Sequence, residues 1–331
     1  MDQRELNKRA ILDDLLVCPL CRTDLKDTEE QYVCLKCHRT YPVIDHIPRF
    51  LTDLSRGEQQ VKRSFHFEQM RYFDSRHLHF RQELVEQWLQ DVQLPRDYFK
   101  GKLVLDAGCG SGRWTYAMAL LGATVVAVDF TEGGVQITHQ ATADMGNVAV
   151  IQANILFLPF KPERFDFVVS WGVLHHTPNT KSGFERLVPL VNKQGQLYVM
   201  VYEKHNPLKF FFTNLIRRVL RMVSEERRYR ICRWFVIQNP ILFRLLGNRI
   251  ICSFNTKGDD PLEISTHQLG LYDAYSPAFN HLHSHQEVET WFREYHFEQI
   301  CLTRPVRFIN KKDITLNGEC GGSINMRGVR T

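Results

Sequence analysis

Residues 103–112, Leu-Val-Leu-Asp-Ala-Gly-Cys-Gly-Ser-Gly, constrain this chain more than any other stretch. A short apolar run closes on Asp106, and Gly108, Gly110 and Gly112 follow at alternate positions before a helix-like stretch begins at Arg113. The pattern predicts a strand, a tight turn and a helix start. Glycine in such a turn permits positive φ and close backbone approach to a ligand, while the helix N-terminus presents free N–H groups. Glycines alone leave the ligand open. A second apolar run, 124–130, ends near Asp129, about where an acidic side chain meets ribose hydroxyls in doubly wound α/β folds. The two runs outline a site for an adenosine-like group.

These residues resemble motif I of class I S-adenosylmethionine-dependent methyltransferases, an apolar strand followed by Asp-x-Gly-x-Gly-x-Gly, and the resemblance extends over residues 101–202. It implies that Asp106, Gly108, Cys109, Gly110 and Gly112 hold the methionine part of the cofactor and that Asp129 holds the ribose. Asn154 and Ile155 follow a third strand, where the family often has Asp near the adenine; Asn keeps an acceptor oxygen. Fourth and fifth strands are expected within 165–178 and 195–202, and the runs 297–303 and 323–331 can supply an antiparallel sixth and seventh. The fold class expected is α/β, a Rossmann-like seven-stranded methyltransferase sheet with an N-terminal zinc ribbon and a helical insertion. A dinucleotide-binding Rossmann domain is the alternative reading of the glycine loop.

The 331 residues, 44% of them hydrophobic, suffice for one α/β domain plus a small module. Nothing in the sequence approaches an uninterrupted apolar membrane span, and 1–16 mixes both charge signs without a signal-like apolar core. Nine cysteines, four at metal-ligand spacing, suggest a reducing compartment and hence a cytoplasmic protein.

Cys18-Pro-Leu-Cys21 and Cys34-Leu-Lys-Cys37 are two Cys-x-x-Cys knuckles separated by twelve residues. Tetrahedral zinc favours four thiolates offered as two such pairs, which makes Cys18, Cys21, Cys34 and Cys37 the expected ligands of a structural Zn2+. His38 in place of Cys37 is the alternative. Residues 15–51 resemble the zinc-ribbon activator proteins of tRNA and protein methyltransferases. The ribbon is either a folding staple, because so short a segment buries too little core without metal, or a docking surface, including one for RNA.

Residues 55–100 carry helical periodicity, and in related methyltransferases a helix here covers the cofactor, which nominates Phe67, Arg71 and Tyr72. A linker helix on the sheet edge is the other reading. His175 and His176 follow the fourth strand, where open α/β sheets form their ligand crevice. Either could accept a proton from a hydroxyl or amine, although two adjacent side chains cannot face one point from a strand; one of them could instead cap the turn before Pro178. Neither Asn-Pro-Pro-Tyr nor Cys follows that strand, which argues against exocyclic base methylation and cytosine C5 methylation.

The net charge of +5 is uneven: residues 206–251 carry ten Lys/Arg against two Glu, leaving the rest of the chain about −3. From Phe211 to Val223 the apolar residues fill one half of a helical wheel and arginines the other. The apolar half either packs on the domain as a lid, or lies on a membrane or receives a lipid-linked substrate, and the arginines could also bind RNA phosphate. Ser284 and Glu287 form a capping box that starts a helix near His285, so His281, His283 and His285 should not share one side as a metal site. The run Tyr-Asp-x-Tyr-Ser-Pro before a His resembles a stretch in fused-ribbon methyltransferases of bacterial glycan and lipid pathways. That implies Asp273, Tyr275 and Ser276 as substrate contacts and His283 as a further base.

The expected division is 1–54, ribbon; 55–100, helical covering segment; 101–205 and 262–331, methyltransferase; and 206–261, basic amphipathic insertion. The function expected is methyl transfer to an oxygen or nitrogen of a metabolite, glycan or lipid-linked substrate. The rivals are an RNA (tRNA or rRNA) methyltransferase and a non-catalytic cofactor-binding scaffold.

Overall fold

The computed structural model describes residues 3–73, 82–204, 207–234, 272, 275–303 and 322–331. At its centre lie five strands whose residues are buried on both faces, as parallel central strands require: β5 (Leu103–Ala107), β6 (Thr124–Asp129), β7 (Val148–Ala153), β8 (Phe165–Trp171) and β9 (Val191–Tyr202). The terminal strands β10 (Phe297–Thr303) and β11 (Ser323–Arg330) pair antiparallel, and β11 sits antiparallel between β10 and β9. The order β7-β6-β5-β8-β9-β11-β10 is the seven-stranded arrangement expected from the sequence.

Four further strands precede this sheet: β1 (Leu25–Asp27), β2 (Gln31–Cys34), β3 (Thr40–Ile44) and β4 (Ile47–Phe50). They form an antiparallel ribbon whose last strand pairs in parallel with β7, Arg49 opposite Gln152 and Phe50 opposite Ala153. The ribbon therefore continues the large sheet, giving eleven strands in one series. Tyr32 and Tyr41 of the ribbon pack on the fully buried Phe50, with ring centroids 5.5 and 5.0 Å away. Arg22 donates to the backbone oxygens of Leu158 and Phe160, and Val17 N–H to that of Pro159.

Alternate residues of each central strand enter opposite cores, as a period of two demands. Leu105, Val126, Ile151, Val168 and Val199 face a core shared with the ribbon, with helix α1 (Gln3–Asp13), and with two helices from later in the chain, α6 (Thr180–Leu187) and α9 (His285–Glu294). Val104, Val125, Val150, Phe167 and Tyr198 face the other, built around Trp88 of α3 (Gln82–Val92) and Trp114 of α4 (Arg113–Leu120). Helix α5 (Glu132–Ala141) adds Val135 to that second core.

Helix α2 (Arg56–Phe73) opens on a reciprocal capping box: Ser55 N–H donates to Glu58 Oε2 at 2.9 Å and Glu58 N–H to Ser55 Oγ at 3.3 Å. The expected box at α9 is also present, with Glu287 N–H donating to Ser284 Oγ at 3.2 Å.

The insertion supplies α7 (Pro207–Leu220) and α8 (Glu225–Arg233). Their facing departs from a lid packed by its apolar half. Arg217 points inward and donates to Pro277 O at 2.6 Å, Arg221 donates to Ala278 O at 3.1 Å, and Leu215, Val219 and Met222 lie exposed. The reason is the underlying strap, 275–283, which offers backbone carbonyls; a buried carbonyl needs a donor more than a neighbouring methyl group.

Phe50→Ala should cost about 3–5 kcal/mol and lower the melting temperature by roughly 10 °C in a single transition, because the ribbon and the large sheet share this ring. Calorimetry checks it; a second transition that stays unmoved would show two independent units.

Candidate functional site

The carboxyl ends of β5 to β9 converge on one edge of the sheet, where open α/β folds form their ligand crevice. The glycine loop leaves β5 with Gly108 at φ +97° and Gly110 at φ +54°. A Cβ on Gly108 would fall 2.2 Å from Val173 Cγ2, so this glycine is imposed by the close approach of the loop after β8. A Cβ on Gly110 would meet nothing within 4 Å, which leaves room for a ligand beside the loop.

Two buried carboxyls flank that space. Asp129 Oδ2 accepts from Gly110 N–H at 2.9 Å, and its Oδ1 accepts from Thr131 N–H at 2.8 Å. Thr131 also caps α5 by accepting from Gly134 N–H at 3.0 Å. Asp129 Oδ2, with one N–H on it, retains acceptor capacity for a ligand hydroxyl. Asp106 accepts from the Thr115 hydroxyl at 2.6 Å. Burial lifts its carboxyl from an ordinary value near 3.8 to about 7; the Thr115 hydroxyl acts against this and the Asp129 charge adds to it. Asp129 is raised too, burial outweighing its hydrogen bonds. Burial disfavours the charged form of both carboxyls, and a cation placed beside them would restore it.

The other nominated residues fall as follows. Cys109 is turned into the α3–α4 core with its sulfur 3.4 Å from Thr138 Oγ1, and its N–H donates to Val128 O, so it has no free donor toward a ligand. Gly112 is the left-handed N-cap of α4. Asn154 closes the turn holding Ile155 by accepting from Leu156 N–H at 3.0 Å, and its amide donates to Glu58 of α2 at 2.9 Å. Helix α2 does cross this edge: the Gln69 amide meets the Thr131 hydroxyl, and His66 Nδ1 accepts from Gly133 N–H at 3.1 Å. Phe67 instead packs on Tyr229 and Tyr272. Arg71 and Tyr72 lie in the last turn of α2, with side chains outside the described residues. Gln69, His66 and Thr131 were missed by the sequence reading, and the helical spacing of Lys62, His66 and Gln69 was the available signal.

His175 and His176 occupy a single 3-10 turn, Leu174–His176, rather than a strand. The tighter turn brings their rings within 4.1 Å of each other, a geometry excluded for adjacent strand residues. In the turn before Pro178 the Thr177 hydroxyl donates to Leu174 O at 2.6 Å. His176 Nδ1 lies 3.0 Å from Phe279 O, an acceptor, so Nδ1 carries a proton. His175 is fully buried against Tyr202, 3.8 Å between centroids, and among the described residues neither of its ring nitrogens has a hydrogen-bond partner. Burial, then the neighbouring histidines, hold its imidazole well below the ordinary range and thus neutral. Tyr202 and Phe279 carry no catalytic signature in sequence and are legible only once the strap folds over β9.

His283 is a strut: Nδ1 meets Glu287 Oε1 and Nε2 meets Thr180 Oγ1, both at 2.9 Å, so neither nitrogen is left for a substrate. His281 bonds Thr177 O through Nε2. Tyr275 and Ser276 are buried under α2, with Ser276 O accepting from Ser64 Oγ at 3.4 Å; Asp273 lies outside the described residues.

Apart from this edge, Cys18, Cys21, Cys34 and Cys37 gather so that all four sulfurs lie within 4.8 Å of one another. The pairs Cys18–Cys37 and Cys21–Cys34 are 3.8 and 3.3 Å apart. A tetrahedron with metal–sulfur bonds of about 2.3 Å has edges of about 3.8 Å, so the donor set fits zinc. His38 faces solvent at φ +55° and takes no part.

Residues 104–195 match the methyltransferase domain family and residues 10–45 the Trm112p-like protein family. A demethylmenaquinone methyltransferase of Staphylococcus aureus is 30% identical over 133 residues, 39% of this chain and 54% of that protein. The chain thus spans about half the length of the curated relatives it matches. Similar solved structures include the complex of the Haloferax volcanii Trm112 methyltransferase activator with a putative methyltransferase (15% identity, 81% of this chain and 96% of that one, TM-score 0.43). Another is the 1,6-didemethyltoxoflavin-N1-methyltransferase of Burkholderia thailandensis (15% identity, 92% and 100%, TM-score 0.47).

Because the Asp106 carboxyl is raised on folding, the folded chain binds more protons than the unfolded one between about pH 4 and 7, and stability falls as pH rises through that window. Asp106→Asn should remove a change in stability totalling about 4 kcal/mol over that window, read from urea midpoints across the range. Identical profiles for both proteins would mean that Asp106 ionises as readily folded as unfolded.

From this sheet order, this glycine loop and these family matches, the chain carries a methyltransferase domain preceded by a Trm112p-like zinc-ribbon module.

Proposed function

We propose that the protein is an S-adenosylmethionine-dependent methyltransferase acting on an oxygen or nitrogen of a metabolite, glycan or lipid-linked substrate. The observation that carries the reading is the contact of Gly108 with Val173, which sets the cofactor loop directly beside the His175–His176 turn. The cofactor supplies a methyl group activated by a sulfonium charge. The glycine loop and Asp106 would face its methionine part, Asp129 would accept from the ribose hydroxyls, and Asn154 and Ile155 would border the adenine. Helix α2 excludes water from above.

Much of the rate comes from holding the acceptor atom in line with the methyl group. His175, held neutral by burial, would take the acceptor's proton as the acceptor displaces a neutral thioether from the methyl group; His176 is the second candidate. His283 positions the strap through Glu287 and Thr180. The inward use of Arg217 and Arg228 on backbone carbonyls weighs against RNA as the substrate, since neither is offered to phosphate. The four thiolates hold one zinc ion with a structural role, a closed set with no open position.

Purified protein with methyl-labelled cofactor, offered separate lipid, small-molecule, RNA and protein extracts, should label the lipid or small-molecule extract, and Asp129→Ala should abolish it. Label in RNA would overturn the substrate assignment, and label nowhere would leave a binding protein without turnover. His175→Ala should lower kcat by about 10²–10⁴-fold with little change in cofactor affinity. Atomic emission should give one zinc per chain, lost in Cys34→Ser together with a lower melting temperature.

A further inference from the structure

The exposed sides of α7 and α8 carry large apolar side chains where a soluble surface is ordinarily polar. Leu215, Val219 and Met222 of the α7 segment are 51, 59 and 84% exposed, and Phe211 is 63% exposed. At 100° per residue these four fall within one stripe. On α8, Arg227, Arg230, Ile231 and Trp234 recur at i, i+3, i+4 and i+7 and are all exposed. Exposed Arg218, Arg221 and Arg233 border the apolar residues. The only two carboxylates of 207–234 are Glu225 and Glu226, both partly buried; Glu225 is turned inward onto Arg228 and the Tyr272 hydroxyl.

We infer that this face is a docking surface for an anionic lipid bilayer. An apolar stripe rimmed by arginines, with the carboxylates withdrawn, complements a leaflet in which acyl chains lie beneath negative headgroups. RNA would be met by arginines projecting from a polar face, whereas the centre of the α7 stripe is aliphatic. The surface is also wired to the site: Arg217 and Arg221 hold Pro277 and Ala278, and the next residue, Phe279, receives the His176 bond. The inference does not depend on methyl transfer or on the identity of the acceptor.

The test is co-sedimentation of the full-length protein with vesicles of phosphatidylcholine alone and of phosphatidylcholine mixed with phosphatidylglycerol. Binding to the mixed vesicles is expected, weakened at least tenfold by Leu215→Glu with Met222→Glu, and several-fold by Arg218→Gln with Arg230→Gln. All of these side chains are exposed, so unchanged melting temperatures should accompany the loss. Asp129→Ala should bind vesicles as the parent does, which separates this inference from the cofactor assignment.

Absence of binding to either vesicle would overturn the proposal. So would binding insensitive to the two glutamates. A dimer in light scattering that the glutamates dissolve would make the face a subunit interface, and tRNA binding that needs Arg218 and Arg230 but tolerates the glutamates would make it an RNA surface.

Discussion

One buried carboxylate ties the candidate cofactor site together. Asp129 accepts from Gly110 in the glycine loop and from Thr131 at the cap of α5, and the Thr131 hydroxyl in turn meets Gln69 of α2. Loop, helix start and covering helix thus take their positions from one side chain at the end of one strand. Its burial has a cost, visible in the raised carboxyl, and the surrounding N–H groups offset only part of it. A site held in this state gains most from a ligand that brings hydroxyl donors and positive charge.

The ribbon is joined to the same architecture more deeply than a tethered module would be. Its cysteines gather at one end while its last strand enters the large sheet, and Tyr32, Tyr41 and Phe50 share a core with Leu105 and Ile151. The distinction between staple and platform loses force in such an arrangement. Whatever the ribbon's outer surface meets, its inner surface is part of the domain's own core.

What could be read from the sequence was whatever depends on local covalent rules. Glycine at forced backbone geometry, cysteine pairs at fixed spacing, a capping box before an apolar run and the period of two in the strands all report on neighbours in the chain. The histidine site was only half legible. The pair after β8 stood out, yet its geometry depends on a 3-10 turn and on a strap from about a hundred residues later that carries Phe279 and His281. His283 was implied as a base by the resemblance of the run that precedes it; Glu287 and Thr180, which occupy it, are brought in by tertiary packing. The amphipathic segment left open which side faces the domain, and the carbonyls of the strap decide it in part by drawing Arg217 inward while Leu215, Val219 and Met222 stay exposed.

The parallel pairing of β4 with β7 also has a bearing on how the chain is made. Phe50 leaves the ribosome about a hundred residues before Ala153, so the ribbon must wait for the strand it joins. During synthesis its last strand is an unpaired edge, open to the wrong partner. A metal-fixed ribbon would keep that edge short and in register, so that β7 arrives at a prepared template. Metal supply in the producing cell would then govern the yield of soluble protein, through assembly of the nascent chain rather than through chemistry.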